Sequence, residues 1–120
     1  RKGGTDMAKY ECRIVGSFPD FLRALDDAIL NGSVSASYED GSSYQQGDVF
    51  CAVRVYERYS YFGGNRVSLN VTLFGTEREF FLSAITSGGS QAVFFKINTV
   101  GEESFLDRLR EFVENYQGSV

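Results

Sequence analysis

Between Lys9 and Val15 the chain alternates strictly: Tyr10, Cys12 and Ile14 share one phase, and Glu11 and Arg13 the other. A period of two predicts a half-buried strand. At Ser17 the spacing changes. Ser17 followed three residues later by Asp20 is a capping-box-like start, and Pro19 suits a first helical turn. Phe18, Phe21, Leu22, Leu25, Ala28 and Ile29 then recur on one helical face, and Asn31-Gly32 supplies a stop.

Beyond Gly32 the period of two returns. Val34, Ala36 and Tyr38 alternate with Ser33, Ser35 and Ser37, and Asp40-Gly41-Ser42-Ser43 reads as a turn. Val49, Cys51, Val53 and Val55 define the inward phase of a long strand. Phe62-Gly63-Gly64-Asn65 predicts a hairpin turn, and Val67, Leu69, Val71 and Leu73 the return strand. After Gly75-Thr76, strands are expected over about Glu79 to Thr86 and, past Ser87-Gly88-Gly89-Ser90, over Gln91 to Asn98. Thr99 with Glu102 marks a last helix, whose apolar stripe is Phe105, Leu106, Leu109, Phe112, Val113 and Tyr116.

The predicted order is β-α-β-β-β-β-β-α. Consecutive strands joined by short turns pair antiparallel, and two amphipathic helices can cover one face of their sheet. The expected fold is therefore α+β, a two-layer sandwich with a largely antiparallel sheet. A long C-terminal helix lying across such a sheet resembles a reduced helix-grip domain. That analogy leaves open a solid core or a ligand cavity under the helix.

Composition narrows the classes. Thirteen glycines, eleven phenylalanines and a single proline suit strands joined by tight turns. Arg1 to Asp6 read as a leftover of recombinant expression before a native start at Met7, leaving 7–120 as a single α+β domain. Without Arg1, Lys2 and Asp6 the formal charge of −4 becomes more negative by one. Such an acidic domain is not expected to bind nucleic acid, which requires clustered lysine and arginine. No apolar run reaches the ~20 residues of a membrane span, and a cytoplasmic location without membrane attachment is expected. Cys12 and Cys51 are too few and too far apart for a disulfide framework or a zinc site, and both read as buried free thiols.

Several stretches resemble a family of short, uncharacterised bacterial proteins, mostly from anaerobic Gram-positive species. They are Ile29-Leu-Asn-Gly-Ser-Val-Ser-Ala-Ser37, Cys51-Ala-Val-Arg-Val-Tyr-Glu-Arg-Tyr-Ser-Tyr61, Asn65-Arg-Val-Ser-Leu69 and Ser83-Ala-Ile-Thr-Ser-Gly-Gly-Ser-Gln91. Phe94-Phe-Lys-Ile-Asn98 and Gly101-Glu-Glu-Ser-Phe-Leu106 extend the likeness across Ala8 to Tyr116. The resemblance is to a domain of unknown function, so it implies no activity, ligand or catalytic residue.

Candidate chemistry is sparse. The chain has no histidine, the commonest general base. It also lacks a nucleophile elbow, a Walker loop, a dinucleotide fingerprint and a Cys-x-x-Cys motif. Asp26-Asp27 and Glu102-Glu103 are sequence neighbours, which point about 100° apart on a helix, and read as solvated faces. Catalysis, a cofactor and a metal are not expected.

The informative feature is the second face of the sheet. With the valine and leucine phase turned to the helices, the other phase carries Arg54, Tyr56, Arg58, Arg66, Phe74, Phe81, Phe94 and Lys96, with Phe50 beside them. Aromatics mixed with arginine are the composition of interface cores. The expected role is a non-catalytic binding or assembly domain using that face. A homodimer is the first expected covering, then another protein, then a small acidic ligand. The alternative is a small-molecule carrier, with its cavity between the sheet and the C-terminal helix near Phe105, Leu109 and Phe112.

Overall fold

A computed structural model describes residues 8–32, 36–60, 65–88 and 105–118. Its elements are β1 (Ala8–Val15), α1 (Phe18–Gly32), β2 (Ala36–Gln46), β3 (Val49–Ser60), β4 (Asn65–Gly75), β5 (Glu79–Gly88) and α2 (Phe105–Gly118). The sheet order is β1-β5-β4-β3-β2 and every pairing is antiparallel. With both helices on one face, the fold is α+β in two layers. The hairpin turn expected at Phe62 to Asn65 falls mainly on residues outside those described. The strand expected over Gln91 to Asn98 and the cap at Thr99 lie wholly outside them.

The start of α1 follows its sequence. Ser17 accepts the Asp20 N–H on its side-chain oxygen at 3.3 Å, and its carbonyl accepts the Phe21 N–H at 2.8 Å. Both bonds satisfy donors that a helix start leaves open. From there Phe18, Phe21, Leu25 and Ile29 are buried, one helical stripe facing the sheet. Fully burying such a side chain contributes about 1.5–3 kcal/mol. In α2 the buried set is Phe105, Leu106, Leu109 and Val113. Phe21 joins the layers, its ring centroid 5.5 Å from those of Phe80 and Phe112 and 5.0 Å from that of Tyr116.

The sheet supplies Ile14 from β1, Val67, Leu69, Val71 and Leu73 from β4, and Phe80, Leu82 and Ala84 from β5. These are the phases that alternation predicts. In β3 the expected phase is inverted. Ala52 and Tyr56 are buried, and Phe50 packs against Phe18 at 5.5 Å between ring centroids. The reason lies in register: Ala52 is paired with Leu73 and Tyr56 with Leu69. Paired residues in an antiparallel ladder share a face, so the leucines of β4 carry the even residues of β3 inward. Cys51, Val53 and Val55 consequently lie on the opposite face.

A second difference lies in β2. Asp40-Gly41-Ser42-Ser43 is no turn; it runs through the strand, which continues to Gln46. The chain reverses instead at Gly47, whose φ of +59° lies in the left-handed region open to glycine. Near Asp40 the ladder shifts register between Tyr38 and Asp40, so Tyr38 pairs with Tyr56 while Asp40 pairs with Val55. One extra residue, Glu39, puts Tyr38 on the helix-covered side and Asp40 on the open side. Glycine is required at 41 by close approach: an added Cβ would stand 2.5 Å from the Tyr38 hydroxyl, 2.8 Å from Arg54 Cδ and 2.8 Å from the Val53 carbonyl oxygen.

Candidate functional site

The face of the sheet away from the helices can be read row by row from the ladders. One cross-strand row is Arg13, Phe81, Phe74, Cys51 and Tyr44, spanning all five strands. Tyr44 is 66% exposed, Phe74 54% and Phe81 40%. These side chains form a continuous apolar strip in water, with Val49 exposed near one end. The next row is Glu11, Ser83, Thr72, Val53 and Ser42; the third is Lys9, Ile85, Asn70, Val55 and Asp40. Charge is confined to the edges of these three rows. Further along, Arg66 pairs with Glu57, and at the other end Arg13 pairs with Glu79.

The residues singled out by sequence divide into three groups. Arg66, Phe74 and Phe81 lie on the open face as expected. Arg54, Tyr56 and Arg58 do not: the β3 register turns them to the helix-covered side. Tyr56 is fully buried, and Arg58 places its guanidinium 5.9 Å from the centroid of the Phe105 ring. Phe94 and Lys96 lie outside the described residues. Sequence reasoning missed Tyr44, Cys51, Val53 and Val55. The signal was present in the competing phase of β3, which holds the bulkier aromatics Phe50 and Tyr56 and therefore fills a core better.

On the helix-covered side, the turned residues build a cleft between α1 and the β2–β3 edge. Pro19, Leu22, Arg23, Asp26, Tyr38 and Arg54 line it, around a volume of about 320 Å³. The Tyr56 hydroxyl donates to Asp26 Oδ1 at 2.9 Å beneath it. Tyr38 meets the Tyr56 ring edge-on, with centroids 5.9 Å apart. Burial, followed by the hydrogen bond to Asp26, raises the Tyr56 pKa far above the usual phenol range. Among the described residues Arg54 is held by neutral acceptors: Nη1 donates to the carbonyls of Ser42 at 3.0 Å and Val53 at 2.9 Å, and Nη2 to Ser43 Oγ at 3.2 Å.

Two other places matter less. A hollow of about 140 Å³ between α1 and α2 is lined by Ala28, Ile29, Phe105, Arg108, Leu109 and Phe112, among others. It is the nearest feature to the cavity expected beside Phe105, Leu109 and Phe112, but ligand pockets usually enclose roughly 300–1,000 Å³. Under α2, Tyr10 lies 5.2 Å from Arg110 by ring centroid. Burial and then the contact with Cys12 push the Tyr10 pKa up to about 12. Burial also pushes the half-buried Cys12 thiol up, away from the thiolate a nucleophile needs. Among the described residues, no helix is long and apolar enough to cross a membrane.

A family model described as a family of unknown function (DUF6054) matches residues 7–117. No curated protein matches the chain. Among solved structures, the Ran-binding protein Mog1p of Saccharomyces cerevisiae is similar at 12% identity and a TM-score of 0.45, over 91% of this chain. The alignment covers 65% of Mog1p, just under two-thirds of its length.

Proposed function

We propose that this chain, which belongs to the family of unknown function DUF6054, is a non-catalytic assembly domain that pairs with a second copy through the open face of its sheet. The observation that carries this reading is the row of Tyr44, Cys51, Phe74 and Phe81, in which the three aromatics are exposed and Cys51 is half-buried. A solvated antiparallel face is normally polar, and a continuous apolar strip marks a surface that another molecule covers.

Charge favours a second copy as that molecule. Lys9 and Asp40 end the same cross-strand row on opposite edges of the sheet, and β4 is the central strand. A two-fold axis running along β4 brings Lys9 of one copy to Asp40 of the other. It also brings Arg13 to Tyr44 and Phe74 to Phe74. A patch that is its own complement under a two-fold is what an isologous dimer requires. Sheets stacked about 10 Å apart with their central strands aligned leave the edge pairs within reach of a lysine side chain.

Sedimentation equilibrium of the full chain tests the reading. A dimer is expected, with Phe74→Asp a folded monomer by near-ultraviolet circular dichroism. A wild-type chain that stays monomeric at high micromolar concentration sinks the idea.

A further inference from the structure

The α1–β2 cleft stands apart from the open face, and several independent features converge on it. The register shift at Glu39 turns Tyr38 into its wall. Bulges recur where a strand must re-aim a side chain at a site. Gly41 provides the space that the Tyr38 hydroxyl and Arg54 occupy. The cleft is open toward solvent, so a small molecule could enter it without any movement of the chain.

The charges are the telling part. Asp26 and Arg54 both line the cleft, yet among the described residues they form no ion pair with each other. Arg54 is fixed by three hydrogen bonds to neutral oxygens. A guanidinium has five N–H donors, so two remain. Asp26 is fixed through Oδ1 by Tyr56, leaving Oδ2 as acceptor. Leu22, Pro19 and the Tyr38 ring supply an apolar wall. An anchored cation and an anchored anion held apart beside an apolar wall complement a zwitterion with an apolar body.

We propose that this cleft binds a free α-amino acid with an apolar side chain. Its carboxylate would sit at Arg54, its ammonium at Asp26 and its side chain against Leu22 and Tyr38. The proposal does not depend on the assembly reading, since none of these residues lies on the open face.

The test is an amide chemical-shift titration of the full chain with L-phenylalanine, 3-phenylpropionate (no ammonium) and phenethylamine (no carboxylate). L-phenylalanine is expected to give saturable shifts at Tyr38, Gly41 and Arg54, with each analogue at least about tenfold weaker, the scale of one charge-assisted hydrogen bond. Arg54→Gln should abolish the advantage of L-phenylalanine over phenethylamine. That variant also loses contacts to the β2 backbone, so Asp26→Asn, which keeps an acceptor for Tyr56, is the second probe. In it, 3-phenylpropionate should bind as well as L-phenylalanine. Absence of saturable shifts, equal binding of all three ligands, or an unchanged ranking in Asp26→Asn overturns the proposal.

Discussion

The Tyr56 hydroxyl donates 2.9 Å to Asp26 Oδ1, fastening a fully buried tyrosine of the sheet to the flank of α1. The ring fills the core; the hydroxyl reaches the half-buried edge where a carboxylate is affordable. Tyr56→Phe keeps the packing and removes the bond, so a loss of about 1.5 kcal/mol is expected, the low end for a bond to a charged group that water can still reach. Tyr56→Ala adds a cavity and should lose about 3–5 kcal/mol. Urea denaturation of both variants checks the difference.

Alkaline conditions should destabilise the fold through its two raised tyrosines, Tyr10 and Tyr56. Tyr10 has its pKa raised from 10.0 to about 12, first by burial, and Tyr56 is raised also. In the unfolded chain both ionise near pH 10. Between that value and their folded pKa, the native state holds protons that the unfolded state has released, so stability is full below pH 10 and falls as pH rises. Urea midpoints from pH 9 to 12 should decline, and Tyr10→Phe should flatten the decline. A wild-type profile that stays level from pH 10 to 12 contradicts this assignment.

Two glycines of the β2–β3 edge should respond differently to alanine. At Gly41 a methyl group collides with Tyr38, Arg54 and the Val53 carbonyl, and overpacking of this kind costs about 1–3 kcal/mol. At Gly47 an added Cβ meets nothing within 4 Å, but φ is +59°. The cost there is conformational, about 1–2 kcal/mol. Asparagine, which tolerates this conformation better, should recover part of the loss at 47 and none at 41. Thermal denaturation of the four variants separates the two causes.

The two-fold pairing of open faces predicts a charge-swap rescue. Lys9→Asp sets like charges at both symmetry-related edges and should weaken dimerisation about tenfold, as should Asp40→Lys. Together the two substitutions restore opposite charges and should return the dimer to near wild-type strength. Sedimentation equilibrium reads all three. Additive weakening in the double variant would rule out this arrangement of the copies, while the Phe74→Asp result still judges the face itself.

Most of the fold was legible because the strong periodicities agree with the packing. The stripe of α1 from Phe18 to Ile29 and the leucines and valines of β4 face the core as their spacing predicts. β3 was not legible in the same way. Its two phases are nearly equal in apolar content, Val49-Cys51-Val53-Val55 against Phe50-Ala52-Tyr56, and only the pairing with Leu69 and Leu73 decides between them. A one-residue ambiguity moves every side chain across the sheet. That is why Arg54, Tyr56 and Arg58 left the expected face, while Phe74 and Phe81 kept it. The residues Asp40-Gly41-Ser42-Ser43 misled for another reason: turn-type residues here serve an edge strand, with Gly41 chosen for space.

Among the described residues β1 pairs with β5 alone, and the Ala8 amide meets Thr86 Oγ1 across 78 residues of chain. Gln117 of α2 then clasps the same strand, donating to the Arg13 carbonyl at 3.1 Å and accepting from the Val15 amide at 3.5 Å. β3, β4 and β5 can assemble from near neighbours, but β1 is synthesised well before its partner β5 and must await residues near Thr86 to form that ladder. Contacts this distant in sequence slow folding. During synthesis, Tyr10, Cys12 and Ile14 must therefore wait, apolar and unpaired, for the strand that will shelter them.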